Sequence, residues 1–160
     1  GTNSRVDITV PNTGELVIRA AALGDSHGEY VLVASTTREF SLVTPIRRDS
    51  VTTGEIDDDA EYDEDDSISY RFYTFRAQAG ETIEIVMMSD DIDAHLALGR
   101  LSGSSFEEID SDDDGFGDTN SRIRFTADKT GEYAIRAGSL GGAYGMFRLH
   151  VGRPGAVRRR

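Results

Sequence analysis

Five aspartates stand close together in residues 110–118, and their spacing suits the binding of a cation. Asp110, Asp112 and Asp114 occupy alternate positions, and Gly115 follows directly. In calcium loops, alternate carboxylates converge on one ion, and a glycine permits the sharp turn that brings later ligands round. The sequence therefore predicts a calcium site made by the side chains of Asp110, Asp112, Asp114 and Asp118 and the main-chain carbonyl of Phe116.

This segment, called the aspartate loop below, departs from an EF-hand. Ser121 stands where an EF-hand has its bidentate glutamate, and the residues after it alternate as in a strand. Aspartate loops between strands can still bind calcium, because the ion tolerates irregular geometry. The alternative is an acidic surface turn, since Asp and Gly are common in turns.

A second concentration of acids, called the acidic run below, covers residues 55–66. Nine of its twelve residues are Asp or Glu. Such a run repels itself unless water or cations surround it. It is interpreted either as a solvated flexible loop or as part of a metal site.

The sequence gives little support to catalysis. His27, His95 and His150 are the only histidines, and the chain has no cysteine. No nucleophile elbow, zinc-protease helix or phosphate loop occurs. We therefore expect a protein that is not an enzyme and has neither disulfides nor thiolate metal sites.

Composition restricts the possible partners. The 160 residues contain 29 acids and 17 bases, which gives a formal net charge of -12. A strongly acidic surface repels nucleic acid and anionic membranes, so neither is an expected partner. No apolar run approaches the roughly 18 residues of a membrane span, so no membrane insertion is expected.

Periodicity predicts an all-β protein. Strands are predicted near residues 51–56, 68–75, 82–88, 95–101, 106–109, 121–126, 132–137 and 144–151, and a further one over 37–44 that Pro45 closes. Many short strands with Gly-rich turns between them favour an antiparallel, jelly-roll-like β-sandwich.

The front of the chain repeats its end. Residues 2–34 align with residues 119–151 without a gap, and about 15 of 33 positions are identical. The predicted organisation is a partial repeat of three strands over 1–35, a linker or extra strand over 36–48, a complete sandwich over 49–152 and a basic tail over 153–160. The front copy has the strands but lacks the aspartate loop.

Several short motifs resemble the bacterial pre-peptidase C-terminal domain. They are Tyr70-x-Phe72-Tyr73-x-Phe75, Ala79-Gly80-Glu81, Asp91-x-Asp93-Ala94-His95-Leu96, Thr130-Gly131-Glu132-Tyr133 and Gly145-x-Phe147-x-Leu149-x-Val151. The resemblance covers about residues 49–152, and residues 1–35 look like the last three strands of another such domain.

The resemblance implies a jelly-roll-like sandwich in a secreted bacterial protein, extracellular or at the cell surface. Such a module is usually non-catalytic, often binds calcium and commonly stands beside a peptidase. The family's calcium sites near the first strand suggest a possible second metal site made by Glu55, Asp57, Asp59, Asp90, Asp91 and Asp93.

Two functions remain open from the sequence. In the first, the chain is a structural subunit that forms a homo-oligomer or polymer, and a neighbouring copy completes its N-terminal strands. The residues that would carry this assembly are Val6, Ile8, Val10, Leu16, Ile18, Tyr30 and Leu32, with the tail arginines Arg158, Arg159 and Arg160 clamping an acidic neighbour.

In the second, the chain is an accessory module of a secreted enzyme that binds an extracellular polysaccharide or protein, or that aids secretion and stability. Its contact residues would be the aromatic side chains of Tyr62, Tyr73, Phe116 and Tyr144.

Overall fold

The computed structural model describes Ile18, residues 43–102 and residues 105–158. The chain divides into a unit of residues 1–38 and a unit of residues 39–160. Ten strands occur in the described residues: β1 (Val43–Pro45), β2 (Ser50–Ile56), β3 (Glu61–Asp63), β4 (Ile68–Ala77), β5 (Thr82–Met88), β6 (Ala94–Ser102), β7 (Ser105–Asp112), β8 (Ser121–Thr126), β9 (Gly131–Leu140) and β10 (Gly145–Gly152).

These strands form two sheets. The large sheet has the order β1-β4-β9-β6-β7, with β3 also paired to β4, and the small sheet has the order β2-β10-β5-β8. All neighbours are antiparallel except β1 and β4. The predicted all-β sandwich is confirmed, whereas the additional N-terminal strands lie outside the described residues, Ile18 apart. No helix in the described part of the chain has the length and apolarity to cross a membrane.

Alternation along the strands explains the core. In β8, Ile123 points inward and is buried, while its neighbours Arg122 and Arg124 are exposed. The same inward alternation in the facing strands fills the space between the sheets. The largest fully buried side chains are Tyr133, Phe72, Phe147, Ile56, Ile83, Ile85, Met87, Leu96, Leu98, Ile123, Ile135 and Leu149.

Two short strands differ from the sequence prediction. Pro45 does not close the strand predicted over residues 37–44 but is the last residue of β1, and residues 37–42 lie outside the described part. β3 lies within the acidic run, so the flexible-loop interpretation of that run is wrong at residues 61–63. Both strands cover the same edge of β4, β3 at residues 68–70 and β1 at residues 72–74.

The basic tail folds back onto the small sheet. The main-chain N–H of Gly155 donates to the Oε1 atom of Glu84 at 2.9 Å. Glu84 lies on β5 and is buried although its side chain is directed away from the core. An acidic side chain of the same chain therefore binds the main chain of the tail. Arg158 is exposed, and Arg159 and Arg160 lie outside the described residues.

Candidate functional site

The antiparallel topology gathers the acidic segments at one end of the sandwich. β2, β5, β7 and β9 run toward this end, and β6, β8 and β10 start from it. The connections at this end are residues 57–67, 89–93, 113–120 and 141–144, and together they are called the acidic end. They contain 14 Asp and Glu residues and no Lys or Arg.

Arginines from the strands offset part of this charge. Arg71 pairs with Asp57, Arg136 pairs with Asp63 at 3.0 Å, and Arg148 lies 3.9 Å from Asp90. These three arginines stand on strands of both sheets. The acidic end therefore keeps a large excess of negative charge, which attracts cations.

Asp112 holds the aspartate loop in shape. Its Oδ2 atom accepts hydrogen bonds from the N–H of Gly115 at 2.8 Å and from the N–H of Arg122 at 2.7 Å. A Cβ atom at Gly115 would lie 2.3 Å from the Oδ1 atom of Asp112. Glycine is required there because the carboxylate occupies the space. Asp112 thus ties the end of β7 to the start of β8.

The rest of the loop turns tightly around Phe116. The N–H of Gly117 donates to the carbonyl of Asp114 at 2.7 Å, and the N–H of Phe116 donates to the carbonyl of Asn120 at 2.9 Å. Asp118 has a φ of 53°, in the left-handed region. The ring of Phe116 is buried, so it anchors the loop to the sandwich.

The predicted metal ligands are only partly brought together. Asp114 and Asp118 are exposed on the connection after β7, whereas Asp110 is exposed within β7 and pairs with Leu98. Among the described residues, the one set of three that places potential ligand atoms within 4.8 Å of one another is Asp57, Asp58 and Asp59. The aspartate loop itself is not such a set, because Asp112 turns its carboxylate to the main chain. Calcium binding stays a prediction.

The two halves of the predicted second site lie at the same end of the molecule. Gly145 pairs with Ile56 in the small sheet, and a Cβ atom at Gly145 would lie 2.5 Å from the Cβ atom of Asp91. The carboxylate of Asp91 accepts the N–H of Met146 at 3.1 Å. Topology therefore brings the start of the acidic run near residues 90–93. No three carboxylates drawn from both segments meet the 4.8 Å spacing within the described residues.

Arg136 lines a groove beside the acidic end. Its guanidinium carbon lies 4.0 Å from the centre of the Tyr70 ring, and its side chain donates to Asp63 at 3.0 Å. Burial would raise the pKa of Asp63, but the hydrogen bond and charge of Arg136 lower it overall. His95 lines the same groove, where burial and the charge of Arg136 lower its pKa.

The other histidines are distributed differently. His150 is buried on the outer side of the small sheet, and its Nδ1 atom has no hydrogen-bond partner in the described part of the chain. His27 lies outside the described residues.

Two of the four predicted contact aromatics are exposed. Tyr62 exposes 56% of its surface and Tyr144 exposes 62%. Both belong to the acidic end, where the Cβ position of Gly142 lies 3.6 Å from the Tyr62 ring. Tyr73 and Phe116 are buried in the sandwich, so the prediction that they form a contact surface is wrong.

Comparison with known proteins identifies the sandwich. Residues 69–139 match the family model described as the bacterial pre-peptidase C-terminal domain. Residues 69–139 are therefore similar in sequence to a domain of this family. This finding confirms the resemblance seen in the sequence motifs, and β4 to β9 form the matched part of the pre-peptidase C-terminal domain.

Several solved structures are similar to this chain at low sequence identity. The pre-peptidase C-terminal domain of a collagenase from Bacillus anthracis is 17% identical with a TM-score of 0.50, and the match covers 69% of this chain and 94% of that one. PliG from Aeromonas hydrophila, a periplasmic inhibitor of g-type lysozyme, is 16% identical with a TM-score of 0.47 (68% and 95% covered).

CorA, a surface-associated copper-binding protein of Methylomicrobium album BG8, is 10% identical with a TM-score of 0.49, and the match covers 71% of this chain and 98% of that one. No curated protein matches the chain.

Sequence reasoning missed three side-chain hydrogen bonds at the acidic end. The hydroxyl of Ser89 donates to the carbonyl of Met146 at 2.6 Å, the side chain of Asn120 accepts the N–H of Ser89 at 2.9 Å, and the hydroxyl of Ser121 donates to the carbonyl of Ala94. Asn120 and Ser121 belong to the residues Thr119 to Arg122, which recur unchanged at residues 2–5. The recurrence of these residues was the available signal. A repeated strand that only fills space has no need to keep the same hydrogen-bonding side chains. The predicted assembly residues of the front copy lie outside the described part, Ile18 excepted.

Proposed function

We propose that this chain is a non-catalytic structural module of the bacterial cell exterior that assembles through residues 1–35. The pre-peptidase C-terminal domain supports the first part, because such domains are β-sandwich modules often found in secreted proteins. In this proposal, strands from outside the chain's own sandwich pair with the strands of residues 1–35. A neighbouring copy of the chain supplies these strands, so that the copies self-assemble.

One observation carries the assembly proposal. Each predicted assembly residue of the front copy aligns with a residue that packs in or against the core of the complete copy. In order, the equivalents of Val6, Ile8, Val10, Leu16, Ile18, Tyr30 and Leu32 are Ile123, Phe125, Ala127, Tyr133, Ile135, Phe147 and Leu149. Side chains at such positions require a facing sheet, because exposed apolar strands aggregate.

We also propose that calcium binds at the acidic end. The support is the charge of its connections and the exposure of Asp110, Asp114 and Asp118. Carboxylate oxygens are ligands that calcium prefers. Calcium would reduce the repulsion among these acids and stiffen the loops between strands.

The test is light scattering on the full chain with calcium and with a chelator, combined with limited proteolysis of residues 1–48. Large particles that need calcium and protect residues 1–48 are expected. A monomer that is cleaved at once in that segment contradicts self-assembly.

A variant pair tests the calcium ligands. We expect replacement of Asp110, Asp114 and Asp118 by Asn to abolish the calcium-dependent rise in melting temperature. Glu132→Gln is the matched control, because Glu132 is exposed at the start of β9, at the end of the sandwich opposite the acidic end. An equal calcium response in all three proteins would contradict a site in the aspartate loop.

The second candidate function is polymer binding by an accessory module, and the exposed pair Tyr62 and Tyr144 favours it. Exposed aromatic rings provide contact area at low entropic cost. The chain would then sediment with insoluble polysaccharide or fibrous protein, and replacing both tyrosines by Ala would abolish this. Ile109→Ala, an exposed apolar substitution on β7, is the control. Equal sedimentation of the tyrosine variant would rule out this surface.

A further inference from the structure

The two sheets have four edges within the described residues, and three of these edges carry features that discourage pairing with another chain. The small sheet ends at β2 and β8, and the large sheet ends at β7 and at the short strands β1 and β3. Natural sheets protect their edges with charges, bulges, proline or very short strands. β8 carries exposed Arg122 and Arg124, β7 carries exposed acids and an unpaired extra residue at Ile109, and β1 and β3 have three residues each.

The edge at β2 lacks this protection over residues 50–54. These residues carry no charge and include no proline, and the pairing of β2 with β10 runs without a register shift. Val51 exposes 57% of its surface. Valine and threonine at positions 51–53 favour an extended backbone. β2 therefore presents a regular and uncharged edge.

The hydrogen bonds of Met146 show which main-chain groups of β2 face this edge. Met146 pairs with Glu55 in the register of β10 and β2. However, its N–H donates to the carboxylate of Asp91 at 3.1 Å, and its carbonyl accepts the hydroxyl of Ser89 at 2.6 Å. The main-chain groups of Met146 are thus directed away from β2, which marks a non-hydrogen-bonded pair. The groups of Glu55 accordingly point away from β10, and its carbonyl accepts a bond from Arg71 at 2.6 Å.

The same direction applies to Val51 and Thr53, because main-chain groups alternate along a strand. In the part of the chain that the structure describes, neither residue has a main-chain partner on the side away from β10. The N–H and carbonyl groups of these two residues are therefore available at the edge. Such a row of main-chain groups is complementary to the main chain of another extended strand.

We infer that β2 pairs with β2 of a second copy of the chain, antiparallel about a two-fold axis at Thr52. In this register Val51 of each copy exchanges main-chain hydrogen bonds with Thr53 of the other copy, so all the available groups are used. The small sheets of the two copies then form one continuous sheet. This interface is distinct from the assembly through residues 1–35 and requires none of those residues.

Charge favours the antiparallel orientation of a second copy. β2 runs from the exposed Arg47 to the acidic end, which begins after Ile56. Antiparallel pairing brings Arg47 of each copy toward the acidic end of the other copy and keeps the two acidic ends apart. Parallel pairing would instead place the acidic ends side by side, where like charges repel.

The overlap of residues 50–54 is short, so the dimer is weak and forms as the protein concentration rises. A thiol at its centre reports the pairing, because the chain has no cysteine. Thr52 of one copy would face Thr52 of the other as a non-hydrogen-bonded pair, and its Cα separation of about 4.5 Å suits a disulfide.

We expect Thr52→Cys to form a covalent dimer under mild oxidation faster than Ile109→Cys. Random collision would give the opposite order, because Ile109 is exposed and Thr52 is partly buried. Crosslinking of Thr52→Cys that is equal to or slower than that of Ile109→Cys overturns the inference.

A charge at the edge gives a second test on the full chain. Val51→Lys should raise the dissociation constant of the dimer at least about tenfold in sedimentation equilibrium, because the two-fold interface contains the substitution twice. Ile109→Lys, at an exposed apolar position on the protected edge β7, should leave that constant unchanged. Circular dichroism shows whether both variants fold. A dissociation constant that Val51→Lys leaves unchanged contradicts the inference.

Amide hydrogen exchange separates this interface from the assembly in the proposed function. The N–H groups of Val51 and Thr53 should exchange more slowly as protein concentration rises. If large particles protect residues 1–48 but exchange at these two amides is independent of concentration, the β2 interface is wrong and assembly through residues 1–35 stands. If the two amides become protected in a dimer whose residues 1–48 are cleaved at once, assembly through residues 1–35 is wrong and the β2 interface stands.

Discussion

Gly115 is the residue on which the shape of the aspartate loop depends most directly. In a Gly115→Ala variant, the new methyl group would meet the Asp112 carboxylate at 2.3 Å, so the carboxylate must leave its two main-chain partners. We expect the free energy of unfolding to fall by about 0.5–1.5 kcal/mol, the net contribution of a typical hydrogen bond, because these groups are only partly buried; urea denaturation measures it. Gly131→Ala is the control, because a Cβ atom there meets nothing within 4 Å. Equal effects of the two variants would show that the Asp112 contacts are dispensable.

Arg136 sets the ionisation of Asp63. In the folded protein the pKa of Asp63 is lowered because the hydrogen bond and charge of Arg136 outweigh the opposing effect of burial. In an Arg136→Gln variant burial acts without that opposition, so we expect the pKa of Asp63 to rise, measured by NMR titration of its carboxyl carbon. Arg148→Gln, which removes the arginine beside Asp90, should leave the Asp63 titration unchanged. An unaltered pKa in the Arg136 variant would contradict this assignment.

At the residue scale, sequence reasoning located the acidic residues but not their contacts. The aspartates of the loop were identified, but Asp112 was predicted as a metal ligand, and the structure shows that it also accepts two main-chain N–H groups. The arginines that neutralise Asp57 and Asp63 were not predicted. They lie 14 and 73 positions away, and only the sheet register brings such distant residues together.

At the scale of elements, an ion pair joins the segment before β2 to the turn between β4 and β5. Arg48 donates to both carboxylate oxygens of Glu81, at 2.5 and 2.9 Å. The hydrogen bond from Arg48 is the main cause of the lowered pKa of Glu81. Since the folded pKa is lowered, the pair stabilises the fold fully above the usual value of 4.5 and loses this effect as pH falls through the lowered value.

Glu81→Gln should therefore reduce the melting temperature near neutral pH and make little difference at the acidic extreme. The gap between wild type and variant is expected to close as pH falls from about 6 to about 3, measured by calorimetry. Arg48→Gln should reproduce the result, and the double variant should add little to either. A gap that is constant with pH would show that the pair is not responsible.

Sequence patterns located most strands because one face of each is buried. The bounds of β5 and β8 agree with the prediction. β8 alternates apolar and polar residues regularly, whereas β5 starts with such an alternation and ends in an apolar run over residues 85–88. β1 and β3 were not predicted with their observed bounds. Each has three residues, and their position depends on the edge of β4 and, for β3, on the bond from Arg136 to Asp63. Such tertiary contacts leave no periodic signal in the sequence.

At the scale of the whole molecule, the gathering of 14 acids at one end predicts a stability that depends on salt. Screening weakens repulsion among exposed charges. The melting temperature should rise when NaCl is increased from about 20 mM to about 500 mM. Calcium chloride at the same ionic strength should raise it further if the ion is bound as proposed. A melting temperature that falls with NaCl would contradict net repulsion at the acidic end.

The predicted second metal site already placed Glu55, Asp57 and Asp59 beside residues 90–93, but the sequence did not predict that the aspartate loop lies at the same end. Residues 55–66, 90–93 and 110–118 are far apart along the chain. They meet because successive antiparallel strands return the chain to the same end, and that arrangement follows from the order of strands in two sheets. The sequence predicted an antiparallel β-sandwich but not the order of the strands in its two sheets.

The pairing of β2 with β10 has a mechanical consequence. These strands are antiparallel, and Ser50 pairs with Val151 at the end opposite the acidic end. A force that pulls residues 50 and 152 apart would break the ladder one pair at a time, as in a zipper, instead of shearing all of it at once. Asp49 adds two hydrogen bonds at this end of the ladder. Its N–H donates to the carbonyl of Val151 at 2.8 Å, and its carboxylate accepts the N–H of Arg153 at 3.2 Å. Under tension the sandwich should therefore open at low force, beginning at Asp49.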